Sequence, residues 1–376
     1  MVRTDIRERI EEGEFRLSPL AAKARYSRGR QTPEDPSPVR TDFQRDRDRI
    51  THSKAFRRLK HKTQVFIAPS GDHYVTRLTH TLITAQIART IARALNLSED
   101  LTEAIVLGHD LGHAPFGHGG EEMLGEMCCE GFRHNEQSLR VVDVLENNGA
   151  GLNLTWEVRD GILKHSKVRA SISADAWGLA STVEGQIVKL ADSIAYINHD
   201  IGDAIRAGML SEDSLPSRPR EVLGKHDSER INSMVCDVIE ATFETARAAE
   251  SSLGQTAAEY NIERERIEEM AKDGQAIVRM SANVLSVVDE LREFLFQKVY
   301  LDDISQGNMD KAREVLRLLY NHFRQHPESI PGEFRLNLPT CSVDRAVCDY
   351  VAGMTDRYAL KMFEDIFMPR TWAPLA

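Results

Sequence analysis

Apolar residues recur at three- and four-residue spacing along almost the whole chain, while alternating β-branched runs are scarce and short. That period belongs to helix rather than strand, and an all-α protein follows. The fullest case spans residues 184–207, where Ile187, Leu190, Ile194, Ile197, Ile201 and Ile205 form one stripe and Asp192, Tyr196 and Asp200 form another. At about 100° per residue the two rows point roughly opposite ways. One face then packs on a core while the other presents carboxylate, phenol and carboxylate in line, with an ordinary solvated face as the alternative. Residues 78–97 predict a second helix, with Ile83, Ile87, Ile91 and Leu95 at i, i+4 steps. Its His80, taken alone, reads as a core or surface histidine.

A chain of 376 residues with 41% hydrophobic residues can bury a large core. Residues 1–41 mix Arg, Glu, Ser and Pro and read as an arm lying over the domain rather than a core element. Residues 42–210 form a run of helices that holds the chemistry, and the polar, Pro-rich stretch 211–230 reads as a linker or loop. Residues 231–376 carry further helical patterns at 231–250, 277–299, 309–322 and 343–367. No internal repeat or low-complexity tract is present.

No run approaches the roughly 18 to 20 apolar residues that a membrane helix needs, and the Arg- and Glu-rich N-terminus lacks a signal-peptide core. A soluble cytoplasmic protein is expected. The five cysteines, with Cys128 and Cys129 adjacent and no Cys-x-x-Cys pair, make neither a disulfide framework nor a thiolate zinc site. They are expected to be buried, reduced and inert. A formal net charge of -10 argues against a general nucleic-acid binder, so a polyanionic ligand must be met locally. The block from Arg40 to Lys62 holds nine basic residues against three acids and offers a phosphate-facing surface. Its alternative is a solvated helix pairing Arg with Asp46 and Asp48.

His-Asp occurs three times, at His109-Asp110, His199-Asp200 and His226-Asp227. Only the first lies in an apolar, small-residue segment, residues 104–118, where a charge is expensive unless it is paired or binds a metal. His113 follows His109 by four residues, and Glu121 follows His118 by three, so each pair can share one face, although Pro115 and Gly117 interrupt the helix between them. Together His80, His109, Asp110 and Asp192 supply two imidazoles and two carboxylates from three helices. A mixed N/O set without thiolate suits Mn, Mg, Fe or a similar divalent ion better than structural zinc.

The segments Arg77-Leu-Thr-His80, His109-Asp-Leu-Gly-His-Ala-Pro-Phe-Gly-His118-Gly-Gly-Glu121, His134-Asn-Glu-Gln-Ser and Leu190-Ala-Asp-Ser-Ile-Ala-Tyr196-Ile-Asn-His-Asp200 resemble, in order, the motifs of the HD superfamily's deoxynucleoside triphosphate (dNTP) triphosphohydrolases. The blocks at residues 43–50 and 52–66, and Asp349-Tyr-Val-Ala-Gly-Met-Thr-Asp-Arg357, resemble the flanking blocks of that family. The resemblance implies an HD-domain helical core and cleavage of a dNTP into a deoxynucleoside and inorganic triphosphate. It implies His80, His109, Asp110 and Asp192 as metal ligands, and His118 with Glu121 as the catalytic pair. His134 would be a further phosphate-contacting or proton-handling group. Arg77 would contact phosphate, and Gln64, Tyr196 and Asp200 would hold the deoxyribose. A homo-oligomer and an effector nucleotide are also implied. Ser193 stands where some relatives carry a phosphate-binding lysine, and Asn135 where they carry an acid.

Hydrolysis at the α-phosphorus must neutralise a triphosphate and activate water, and a divalent cation does both. The 5′-alkoxide is a poor leaving group, so an acid beside it must protonate it. His118 with Glu121 is the candidate, the division of labour between them being open. Tyr196 and Tyr350 are candidates for discriminating deoxyribose from ribose. Two other readings compete. One is an HD phosphatase acting on another nucleotide, which leaves the Arg-rich block with Gln64 unexplained. The other is a non-catalytic nucleotide sensor or single-stranded nucleic-acid binder, which has no use for His118 and Glu121.

Overall fold

Hydroxyl side chains set where many of the helices begin. The side chains of Thr76, Ser98, Thr182, Ser281, Ser342 and Thr355 each accept a backbone N–H from the first turn that follows, relieving donors that a helix start leaves unpaired. The computed structural model describes residues 5–64, 73–166, 178–249, 257–335 and 341–369. Within them the helices are α1 (Ile6–Gly13), α2 (Asp42–His52), α3 (Lys54–Arg58), α4 (Arg77–Ala94), α5 (Glu99–His109), α6 (Gly117–Met127), α7 (His134–Arg140), α8 (Glu146–Gly149) and α9 (Trp156–Lys164). The chain continues with α10 (Val183–Arg206), α11 (Ser217–Leu223), α12 (Asp227–Ala249), α13 (Ala257–Lys272), α14 (Ala282–Leu295), α15 (Asp303–Gln325), α16 (Gly332–Arg335), α17 (Val343–Ala352) and α18 (Asp356–Phe367). The all-α expectation holds: β-pairing among the described residues is confined to two isolated bridges, Arg30 with Thr155 and Thr63 with Thr76.

Two apolar cores organise these helices. In the larger, α4, α5 and α10 pack on one another, with α2 against α5 and α9 against both α5 and α10. Ile187, Ile194, Ile197 and Ile201 of α10 are buried there beside Ile91, Ile105 and Ile162, each such side chain contributing about 1.5–3 kcal/mol. The smaller core gathers α6, α15, α17 and α18 around Phe116, Leu316, Tyr320, Phe323 and Val351. Residues 110–117 cross from one core to the other, since Leu111 belongs to the first and Ala114 and Phe116 to the second.

Several expectations are corrected. The N-terminal arm is part of the core: Leu20, Ala21, Ala22 and Ala24 are buried in it, and Arg30, its side chain nearly covered, pairs with Asp42 at 3.0 Å and with Asp46. Stretch 211–230 is not merely loop, because α11 lies within it and Leu215, Pro219 and Leu223 are buried. The pattern at 277–299 divides: Ile277, Val278 and Met280 are buried ahead of the helix, and α14 begins at Ala282. Cys128 and Cys348 are buried, but Cys129 and Cys236 are exposed and Cys341 is half-buried, so the cysteines do not share one environment. Residues 65 and 66 of the family-like block, and Glu250 at the end of the 231–250 pattern, lie outside the described residues.

The basic block also reads differently in space. Arg45 and Arg49 pair with Glu34, Arg47 with Asp100 and Glu103, Arg40 with Asp48, and Lys54 with Glu333. Most of its cations therefore serve ion pairs between helices and the arm. Lys62 is used otherwise, buried with its ammonium donating to the carbonyl oxygens of His113 and Ala352.

Candidate metal centre and active site

Three helices deliver the mixed N/O set to one place. His80 stands on the first turn of α4, His109 ends α5 with Asp110 as its C-cap, and Asp192 lies midway along α10. One ligand atom from each of His80, His109 and Asp110 lies within 4.8 Å of the others. Asp192 Oδ1 is 3.0 Å from His80 Nε2 and 3.9 Å from His109 Nε2. All but Asp192 are almost fully buried, so the second row on α10 is not an ordinary solvated face.

His109 supplies the test of whether these residues suit a cation. Its Nδ1 lies against the Val106 carbonyl oxygen, and a carbonyl only accepts, so Nδ1 carries the proton. In the neutral ring Nε2 is then a bare lone pair, buried and without a hydrogen-bond partner, 3.3 Å from Asp110 Oδ1. Two electron-rich atoms at that distance repel, and an unmet buried acceptor costs about 1–3 kcal/mol. A cation between them removes both penalties, so the set fits a divalent ion of the oxygen- and imidazole-preferring kind.

Asp110 is the hub. It accepts from Arg77 Nη1 at 3.0 Å and lies 3.1 Å from His113 Nε2. Burial alone would raise its carboxyl, but His109, His113 and Arg77 hold it well below the usual carboxylate range. Burial and then Arg77 push the His113 imidazole far below its ordinary value, leaving that ring neutral.

Glu121 pairs differently from the sequence expectation. It accepts from His134, at 2.9 Å from the backbone N–H and 3.0 Å from Nδ1, whereas His118 Nδ1 is 3.9 Å away. The close couple is thus Glu121–His134, and His118, 63% exposed in its side chain, stands at the mouth with its ring centroid 6.4 Å from that of Tyr196. Burial opposes charge on His134, but Glu121 overrides it and raises the imidazole; His134 in turn helps hold Glu121 far below its ordinary value against the effect of burial. His113, Glu121 and His134 also cluster, yet the His113 and His134 rings stack at 4.1 Å and 12°. Stacked rings aim their in-plane lone pairs side by side, not at one ion, so this group handles protons better than it cages a cation.

The expected substrate residues flank the centre on the Arg77 side. A Cβ on Gly117 would stand 3.4 Å from both Arg77 Nη2 and the Gln64 carbonyl oxygen, and Gly117 has φ +60°, so glycine keeps that approach open. Gln64 Oε1 and Asp200 Oδ1 are buried acceptors without partners, and Arg77 Nε is an unmet donor. Burial, then Asp203, drives the Asp200 carboxyl well above its usual range. Ser193 turns its hydroxyl back to the Lys189 carbonyl at 3.0 Å, and Asn135 donates to the Leu163 carbonyl at 2.7 Å; both departures are buried. Tyr350 meets Tyr358 at 3.0 Å between hydroxyls and packs on Phe323 and Phe334 in the smaller core.

Sequence reasoning missed several participants. His165 sits between His109 and His134, with ring centroids 4.9 and 5.3 Å away, and burial pushes it down to about 3; it belongs to no motif. Tyr300 donates its hydroxyl to Asp200 from 100 residues away. Asp356 accepts from Phe116 N at 3.0 Å and from Thr63 N at 2.9 Å, which gives the C-terminal block a structural reason: it holds the loop after Asp110. His199 lies in a His-Asp dipeptide whose sequence context gives no signal, yet its Nδ1 is 3.3 Å from His80 Nδ1.

Comparison with known proteins identifies the family. Residues 77–197 match the HD domain, and residues 278–365 match the phosphohydrolase-associated domain. A deoxyguanosinetriphosphate triphosphohydrolase-like protein of Caldanaerobacter subterraneus subsp. tengcongensis is 51% identical, covering 98% of this chain and 97% of its own. Proteins of the same description from Desulfatibacillum aliphaticivorans and Clostridium tetani are 46% and 43% identical, each over 97% of this chain. With an HD domain around the His80, His109, Asp110 cluster and such relatives over nearly its full length, the chain belongs to the deoxyguanosinetriphosphate triphosphohydrolase-like family of HD-domain phosphohydrolases.

Proposed function

We propose that the protein hydrolyses deoxynucleoside triphosphates to deoxynucleoside and inorganic triphosphate, with a divalent cation such as Mn, Mg or Fe held by His80, His109, Asp110 and Asp192. The observation that carries this reading is the orphaned His109 Nε2 facing Asp110 and Asp192, beside the Glu121–His134 couple. When bound, the cation supplies positive charge at the α-phosphate and acidifies water.

The chain's own residues do the rest. Arg77, anchored on Asp110 through Nη1, keeps Nε and Nη2 for phosphate oxygens. Glu121 fixes the His134 ring through Nδ1 and raises its basicity, which fits His134 to handle protons beside the centre. His118 at the mouth shares proton transfer with that couple, one handling the water and the other the 5′ leaving oxygen. Gln64 Oε1 and Asp200 Oδ1 offer unpaired hydrogen-bonding atoms to a sugar hydroxyl, and Tyr196 and Tyr300 close that side, with ring centroids 6.4 Å apart.

Incubating the protein with each dNTP and Mn or Mg, then separating products by chromatography, tests the reading. Deoxynucleoside and tripolyphosphate should appear together, and the four rates give the base preference. Orthophosphate release, or no product at all, would overturn it.

A further inference from the structure

Helix α10 touches His80 at both ring nitrogens. Asp192 Oδ1 meets Nε2 at 3.0 Å and His199 Nδ1 meets Nδ1 at 3.3 Å. The two residues are seven apart, two turns less about 20°, so one stripe of α10 supplies both. The rings of His80 and His199 stand edge to face, with centroids 5.4 Å apart and planes at 82°, and both residues are buried. Two nitrogens at that separation bind only if one carries a proton and the other does not. For His80 to present Nε2 as a lone pair to a cation, its proton must sit on Nδ1, and His199 Nδ1 must accept it.

We infer that His199 is a positioning residue for the metal centre: it accepts the His80 Nδ1 proton, fixing the tautomer and orientation that aim His80 Nε2 at the cation. The inference rests on the proposed metal centre. Metal-binding histidines usually rest on a carboxylate or a carbonyl; in this protein the acceptor is a second, neutral imidazole, whose own Nε2 is buried without a partner. The role assigned to His199 is positioning, through its contact with His80 alone. Its neighbour Asp200 faces the sugar side, so the His199-Asp200 dipeptide divides two tasks between consecutive residues.

Two substitutions separate an acceptor from a mere space-filler. Asn Oδ1 occupies the place of His Nδ1 and still accepts, whereas Leu fills space with carbon. Chelator-stripped full-length protein is titrated with MnCl2 while the free Mn(II) signal is followed by electron paramagnetic resonance, and circular dichroism monitors folding. His199→Leu should raise the Mn Kd about 10–100-fold, and His199→Asn should stay within about threefold of wild type. Wild-type affinity in His199→Leu, or an equal loss in both variants, overturns the assignment. Should His199→Leu lose its helix signal, His199→Asn decides alone: retained affinity supports the acceptor role, and a tenfold loss ends it. His80→Ala in the same titration isolates the underlying reading. If wild type binds no Mn, or His80→Ala binds as wild type does, the metal centre itself is misplaced and the inference falls with it.

Discussion

Glu121 and Glu14 are both shielded carboxyls, and their surroundings send them in opposite directions. Glu121 faces His134, His113 and His118 and is held far below its ordinary value in spite of burial; in the proposed mechanism this anion orients His134 and raises its basicity. Glu121→Gln keeps the shape and removes the charge, so kcat should fall about 10²–10⁴-fold while Mn affinity stays close to wild type. His109→Ala should lose both. Steady-state rates measured beside a Mn titration separate the two results, and retained turnover in either variant would contradict these roles. Glu14, buried within the arm and accepting from Ala24 N at 2.7 Å, is pushed up to about 8, chiefly by burial. Between pH 4.5 and about 8 the folded chain therefore holds a proton there that the unfolded chain has released. Its stabilising contribution is complete below pH 4.5 and is lost as pH rises through about 8, at up to about 1.4 kcal/mol per pH unit. Glu14→Gln should remove that slope, so urea denaturation at pH 5.5 and 8 should show wild type losing ground to the variant at the higher pH.

At the scale of the element, residues 110–117 do the positioning, and their tightest point is Gly112. A Cβ there would lie 2.1 Å from Ser138 N and 2.5 Å from the His134 carbonyl oxygen, both backbone of α7, and Gly112 N donates to Ser138 Oγ at 2.9 Å while that hydroxyl donates to the His109 carbonyl at 2.6 Å. Gly112→Ala must push α7 away from Asp110, carrying His134 with it. We expect a stability loss of about 1–3 kcal/mol and a drop in kcat of at least tenfold, seen in melting and turnover together; unchanged turnover would mean the loop tolerates displacement. Elements of this kind divide into those legible in the sequence and those not. The stripes on α4 and α10 are legible because apolar spacing at 3.6 residues reports burial directly, and the His-Asp motif stands out because charge in an apolar segment demands a partner. The arm is not, since Leu20 to Ala24 are buried from irregular backbone that has no period. The basic block misleads because Glu34, Glu103 and Glu333, which claim its cations, lie outside it along the chain. Three-residue spacing points Glu121 to His118, yet His134, 13 residues on, comes closer through the fold.

Across the whole molecule, the smaller core is tied to the candidate site through Asp349. This buried carboxylate of α17 accepts from Arg140 Nη2 at 2.7 Å and from Gln137 Nε2 at 3.0 Å, both on α7, and from Arg345 of its own helix at 3.0 Å. Two further ties run alongside it: Lys62 to the Ala352 carbonyl at 3.0 Å, and Asp356 to Phe116 and Thr63. Helix α7 carries His134, so the C-terminal helices hold one half of the proton-handling couple while α6 holds the other. Removing one partner of a buried charge network typically costs about 3–5 kcal/mol, and Asp349→Ala leaves half-buried Arg140 and Arg345 without their shared counter-charge. Cation binding acts in the other direction: it stabilises the folded form by about 2.7 kcal/mol when the free ion stands at 100 times its Kd, and it bears on the larger core, where α4, α5 and α10 meet. In calorimetry the wild type should melt in one transition that moves upward with MnCl2, because the ties make the two cores one cooperative unit. Asp349→Ala should melt earlier and split, with the transition of the larger core still rising with MnCl2 and that of the smaller core standing still. A single transition that moves as a whole in the variant would show that packing between the cores, rather than the Asp349 network, carries the coupling.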